Sequence, residues 1–131
     1  MKTVLLVEDD PFLVDIYTTK LSEWGFDVEV SIDGKDCLEI IRKMNAPGKK
    51  LWPDLMILDI VLPEVDGWEI LREIRNDKQL KDLKIFVLSN LGEKHEVDKG
   101  LSLGATKYFI KAHYTPLEVI EKIIKELEQN G

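Results

Sequence analysis

Scarcity is the first thing this sequence offers. Its 131 residues include a single cysteine, so no internal disulfide can form and a reducing, cytoplasmic setting is expected. No apolar stretch resembles a transmembrane span. The opening run, Val4-Leu5-Leu6-Val7, is too short for a signal-peptide core and runs straight into Glu8, Asp9 and Asp10. Cations are outnumbered, 18 Lys and Arg against 25 Asp and Glu. The resulting charge of −7 argues against direct nucleic-acid binding, which needs clustered Lys and Arg. Three tryptophans (Trp24, Trp52, Trp68) lack a basic, aromatic-interleaved surface and read as helix-packing or loop anchors. His95 and His113 each stand alone in a polar stretch and read as surface residues. Cys37 reads as a small core residue.

What remains is ordinary for a globular chain, 44% hydrophobic and 33% charged. The length suits one domain that buries roughly two-thirds of its unfolded surface. A short buried strand over 2–8 gives way to Asp10-Pro11, an N-cap with proline at the first helical position. Phe12, Leu13, Ile16, Leu21 and Trp24 supply that helix's stripe, and Gly25 stops it. A second strand spans 26–32. A second helix turns Cys37, Leu38, Ile41 and Met44 inward, and a loop follows over 45–53.

Next comes DLMILDIVLPEVDG, residues 54–67. Four apolar residues, Leu55 to Leu58, fit a strand buried on both faces and end abruptly in Asp59. Asp66 caps a third helix that carries Trp68, Leu71 and Ile74. Ile85 to Leu88 form a fourth strand ending in Ser89-Asn90. A charged helix over 93–103 contains Gly100, which costs it up to about 1 kcal/mol relative to alanine. Tyr108-Phe109-Ile110 make a fifth strand, followed directly by Lys111. Thr115-Pro116-Leu117-Glu118 form a capping box, and Ile120, Ile123, Ile124 and Leu127 give the last helix its buried stripe.

Strand and helix alternate five times. The expected fold is a doubly wound, flavodoxin-like (βα)5 domain with a parallel sheet of order 2-1-3-4-5 and helices on both faces. Four strands end in residues able to do chemistry: Glu8-Asp9, Asp59, Ser89 and Lys111. In a parallel sheet these ends share one edge, and strands 1 and 3 flank the switch point where such sheets bind ligands. Two carboxylates at ~4 Å repel by about 4 kcal/mol at an effective dielectric near 20. Three of them need a proton or a cation, and oxygen-only ligands point to Mg²⁺. An acid nucleophile, a metal, a lysine and a hydroxyl together describe a phosphoryl-transfer site.

These residues closely resemble the receiver domain of two-component response regulators, over essentially the whole chain. The resemblance implies that Asp59 accepts a phosphoryl group from the phosphohistidine of a histidine kinase or phosphotransfer protein. It implies Mg²⁺ bound by Asp9, Asp59 and the backbone carbonyl of Val61, with Glu8 helping through water. Lys111 would pair with the phosphoryl oxygens, Ser89 would move to hydrogen-bond them, and Tyr108 would swing inward as an aromatic reporter. Output would pass to a protein partner through strand 5 and its flanking helices. Residues 1–131 are expected to be a receiver domain without an effector domain, cytoplasmic and not an enzyme in the ordinary sense. A phosphorylation-dependent homodimer is left open.

Three departures from the family pattern stand out. Ala112 takes the usual place of proline after the lysine, so a trans peptide is expected there, with freedom to re-aim Lys111. Asn90 replaces a residue that is often small. Val61 and Leu91 lie where some members carry polar groups that orient hydrolytic water, which implies a long-lived phosphoform. Two other functions compete. A Mg²⁺-dependent phosphohydrolase of the haloacid-dehalogenase kind would need a second acid two residues beyond Asp59, where this chain has Val61. An unphosphorylated interaction module would leave the acidic set without use.

Overall fold

A computed structural model describes residues 2–44 and 53–129 of the chain. Five strands alternate with five helices: β1 (Thr3–Val7), α1 (Pro11–Glu23), β2 (Asp27–Ser31), α2 (Gly34–Met44), β3 (Leu55–Leu58), α3 (Gly67–Asn76), β4 (Lys84–Ser89), α4 (Lys94–Ser102), β5 (Lys107–Ile110) and α5 (Pro116–Gln129). The strands form one sheet in the order β2-β1-β3-β4-β5, every pair parallel, as the alternation requires. Most of the expected loop after α2, residues 45–52 with Trp52, lies outside the described residues, as does the side chain of Met44.

Successive strand residues point to opposite faces, and both faces are covered. On one, Leu5, Val7, Met56, Leu58, Ile85 and Val87 pack with Cys37, Leu38 and Ile41 of α2 and Ile70, Leu71 and Ile74 of α3. On the other, Val4, Leu6, Leu55, Ile57, Phe86 and Leu88 pack with Tyr17 and Leu21 of α1 and Val119, Ile120, Ile123 and Leu127 of α5. Phe109 sits between Phe86 and Tyr114, edge-on to the latter at 4.9 Å. Burial pushes the Cys37 thiol up to about 12, the state of an inert core residue.

Local signals hold where they were strongest. The Asp10 carboxylate accepts from the Phe12 amide, and Asp66 accepts from Glu69. Thr115 and Glu118 exchange both bonds of the capping box. The expected stripe of α1 is wrong at its two ends. Phe12 is 72% exposed and Trp24 58%, while Tyr17, left out of the stripe, is buried. Phe12, Leu13, Val14, Ile16 and Tyr17 crowd apolar groups around most of the helix, so α5 and the sheet decide which side is covered.

No described helix is long and apolar enough to cross a membrane. The corrected α1 face has a direct test. Tyr17→Ala is expected to cost about 3–5 kcal/mol in urea unfolding, as other buried aromatics do. Phe12→Ala is expected to stay within about 0.5 kcal/mol; equal losses would return Phe12 to the core.

Candidate functional site

The register sets the site. Val7 pairs with Leu58, so the residues that follow, Glu8 and Asp59, leave the sheet side by side. The ladder continues one step further, with the Asp59 amide donating to the Val7 carbonyl and the Glu8 amide to the Ser31 carbonyl. Ser89 pairs with Ile110, which brings Lys111 to the same rim. Gly67 draws the loop after β3 back onto the strand end, its amide bonded to the Ile60 carbonyl. A side chain there would sit 2.6 Å from both the Asp59 carbonyl oxygen and the Ile60 Cα, so only glycine closes this turn.

All three polar side chains at the centre are nearly lost to solvent: Glu8 is 2% exposed, Asp59 5% and Ser89 0%. Lys111 Nζ bridges the two acids, 2.8 Å from Glu8 Oε1 and 3.0 Å from Asp59 Oδ2. The remaining oxygens are occupied too. Glu8 Oε2 accepts from the Asp10 amide, and Asp59 Oδ1 from the Val61 amide at 3.3 Å. Lys111 begins a single 3-10 turn, Lys111–His113, and the alanine that follows it has not turned it away from the acids.

Burial is the main force raising the Glu8 pKa, to about 7, and the neighbouring Asp59 charge adds to it against the Lys111 hydrogen bond. For Lys111, burial pulls the ammonium's pKa down, but its two carboxylate partners together hold it above the ordinary lysine value. Glu8, Asp9 and Asp59 each offer an oxygen, and these oxygens lie within 4.8 Å of one another. Such a hard, oxygen-only set fits Mg²⁺ and suits neither zinc nor copper. Asp9 is the exposed member, facing solvent.

Ser89 and Tyr108 lie beside the acids. The Ser89 hydroxyl accepts from the Leu91 amide at 3.2 Å and also lies within hydrogen-bonding reach of the Tyr108 hydroxyl. The Tyr108 hydroxyl donates to the Leu91 carbonyl at 2.6 Å, and its ring packs against the core. Tyr108 is thus half-buried, with its ring turned to the core. Its pKa is raised, by burial first and then by the Glu96 carboxylate. Two contacts escaped the sequence reading: the backbone of Leu91, bonded to both Ser89 and Tyr108, and Gly100, read only as a cost but packed against the Tyr108 ring. His95 is also less isolated than expected, 3.4 Å from Glu93 on the exposed start of α4.

A doubly wound sheet with acids, a hydroxyl and a lysine on one rim is the frame of a phosphorylation-dependent signalling domain. The chain belongs to the response regulator receiver domains, whose family model matches residues 4–124. It is 31% identical to the DNA-binding dual master transcriptional regulator RpaA of Synechocystis over 95% of this chain and 47% of that protein. It is 32% identical to the regulatory protein VanRc of Enterococcus gallinarum over 96% of this chain and 50% of that one. The chain thus spans about half the length of these curated relatives. Among solved structures, the Francisella response regulator 1452 receiver domain superposes with a TM-score of 0.85 at 27% identity over 100% of both chains. The phosphorylated cyanobacterial phytochrome response regulator RcpA gives 0.79 at 28% identity, covering 98% of this chain and 91% of that one. Receiver domains are signalling domains, not classical enzymes.

The raised pKa of Glu8 has a definite sign in stability. Unfolded, Glu8 titrates near 4.5; folded, near 7. Between those values the folded state holds the extra proton, so stability is greatest at low pH and falls as pH rises through 7. At about 1.4 kcal/mol per unit, the loss is up to about 3 kcal/mol. Unfolding with divalent cations chelated should show wild type losing this much relative to Glu8→Gln between pH 5 and 8. Parallel curves for the two proteins would show that Glu8 is ionised throughout.

Proposed function

We propose that Asp59 is the phosphoacceptor of this receiver domain and that its donor is the phosphohistidine of a histidine kinase or phosphotransfer protein. The observation that carries this reading is the Lys111 ammonium held between Glu8 and Asp59 at the ends of separate strands. In the transfer an Asp59 oxygen attacks phosphorus, a P–O bond forms, and the P–N bond to the donor imidazole breaks. The imidazole nitrogen leaves with the bonding pair and takes up a proton, ending as a neutral histidine. Asp59 ends as an acyl phosphate.

Each neighbour has a task in that step. Glu8, Asp9, Asp59 and the Val61 carbonyl would hold Mg²⁺, Glu8 through water. The ion supplies positive charge against the phosphoryl oxygens and relieves the carboxylates' mutual repulsion. Lys111 offers the fixed cation for the added charge, roughly −1.5 to −2 on a phosphorylated group. The Ser89 hydroxyl accepts from the Leu91 amide and can donate to a phosphoryl oxygen without losing that bond. The arrangement with Ser89 and Lys111 drawn to the phosphoryl group gains energy only after transfer, so its population rises then.

Output passes through β5, α4 and α5 to a protein partner, in a cytoplasmic setting. This follows from Ser89 and Lys111 ending β4 and β5, so that their movement reaches that face first. Neither Val61, 59% exposed, nor half-buried Leu91 can orient a hydrolytic water, so the phosphoform is long-lived.

Intact-mass measurement after exposure to acetyl phosphate and Mg²⁺ should show one added phosphoryl group on wild type and none on Asp59→Asn. The label should persist for minutes or longer. Loss within seconds contradicts the role given to Val61 and Leu91, and release of phosphate beyond one equivalent would make the chain a phosphohydrolase. A chain that takes no label with Mg²⁺ present would be an interaction module instead.

A further inference from the structure

Gly100 lies in the middle of α4, where glycine weakens a helix, yet it is buried. A methyl group at this position would stand 2.6 and 2.7 Å from two carbons of the Tyr108 ring, and 3.5 Å from the Trp68 ring. One edge of the β5 aromatic ring thus lies directly against bare helix backbone. On that seat its hydroxyl reaches the Leu91 carbonyl at 2.6 Å. Lys99, one residue before Gly100, places its ammonium 4.5 Å from the centre of the Trp68 ring, so α3 and α4 are joined beside the same ring. Helix backbone cannot retreat from a clash of this size, whereas a tyrosine ring can rotate away.

We propose that Gly100 is the positioning residue that seats Tyr108 inward before any phosphoryl group arrives, so that this aromatic is pre-set and does not report transfer. The inference deepens the reading of Asp59 as phosphoacceptor and rests on it for its signalling meaning. Movement on phosphorylation then falls to Ser89, Lys111 and the Leu91 backbone. A partner that recognises the face with Tyr108 inward would find that part of it formed in the resting chain.

The test uses the whole chain with ring-labelled tyrosine, its Tyr108 signal assigned with Tyr108→Phe, and a soluble paramagnetic agent as the probe of exposure. In the resting wild type the Tyr108 ring is expected to be shielded, and in Gly100→Ala its relaxation by the agent should rise several-fold while helix content holds. A simple loss of packing would not show the second signature. Gly100→Ala should raise the urea midpoint in a Tyr108→Ala background, where alanine's better helix propensity is no longer opposed by the ring, and fail to raise it with Tyr108 present. Beryllofluoride with Mg²⁺, a phosphoryl mimic, should shift signals of Ser89 and Lys111 and leave Tyr108 as shielded as before.

A Tyr108 ring that is exposed at rest and covered when the mimic binds overturns the proposal, as does one equally shielded with alanine at 100. If the mimic moves nothing at 89 and 111, the phosphoacceptor reading fails, and the Gly100 variants still decide the seat.

Discussion

One ammonium wedged between two buried carboxylates governs the rim of this molecule. Glu8 and Asp59 emerge from neighbouring strands in matched register, so the sheet itself forces them together. Without compensation such a pair would repel by about 4 kcal/mol. Lys111 arrives from the end of β5, two strands away from β3, and closes hydrogen-bond distances to both. Even so the site remains short of positive charge, since Asp9 is a third acid against one lysine. Burial and the Asp59 charge displace the Glu8 pKa upward, so a proton on Glu8 would meet part of that shortage.

The rest of the fold serves to hold these groups still. Both faces of the sheet are sealed by apolar side chains, so the strand ends cannot slip in register without turning core residues outward. Gly67 folds the loop after β3 hard against Asp59, and the Asp10 cap fixes the start of α1 beside Glu8. Leu91 links Ser89 at the rim to Tyr108 on β5. Its amide is bound by Ser89 and its carbonyl by Tyr108, so movement of Ser89 toward a ligand is felt where the Tyr108 hydroxyl is anchored.

Much of this was legible in the sequence because it depends on neighbours in the chain. Apolar runs ending in Asp59 or Ser89, the Asp10-Pro11 and Thr115-Pro116 starts, and the strand–helix alternation are local patterns. Right-handed crossovers then leave few topologies. What was not legible depends on distant surfaces. The buried side of α1 was only partly legible, with Leu13 and Leu21 read correctly, because apolar residues surround its first turns and only α5 and the sheet show which of them is covered. The contact between Gly100 and Tyr108 was equally hidden. The glycine, eight residues before the tyrosine and seen only as a flaw in α4, provides the space the ring fills. A glycine kept in a helix at a cost often marks a close packing contact, and that signal was present at Gly100.

The central claim is that the rim exchanges one form of positive charge for another. If Glu8 keeps a proton at neutral pH only because no cation is present, Mg²⁺ binding must expel it. Calorimetric titration of the protein with Mg²⁺ at pH 7, in two buffers of different ionisation heat, counts that proton directly. Release on the order of half a proton per ion bound is expected from a group titrating near 7, and the release should vanish in Glu8→Gln. Binding heats that coincide in the two buffers for wild type would mean that no proton leaves, and that the carboxylates tolerate one another by some other means.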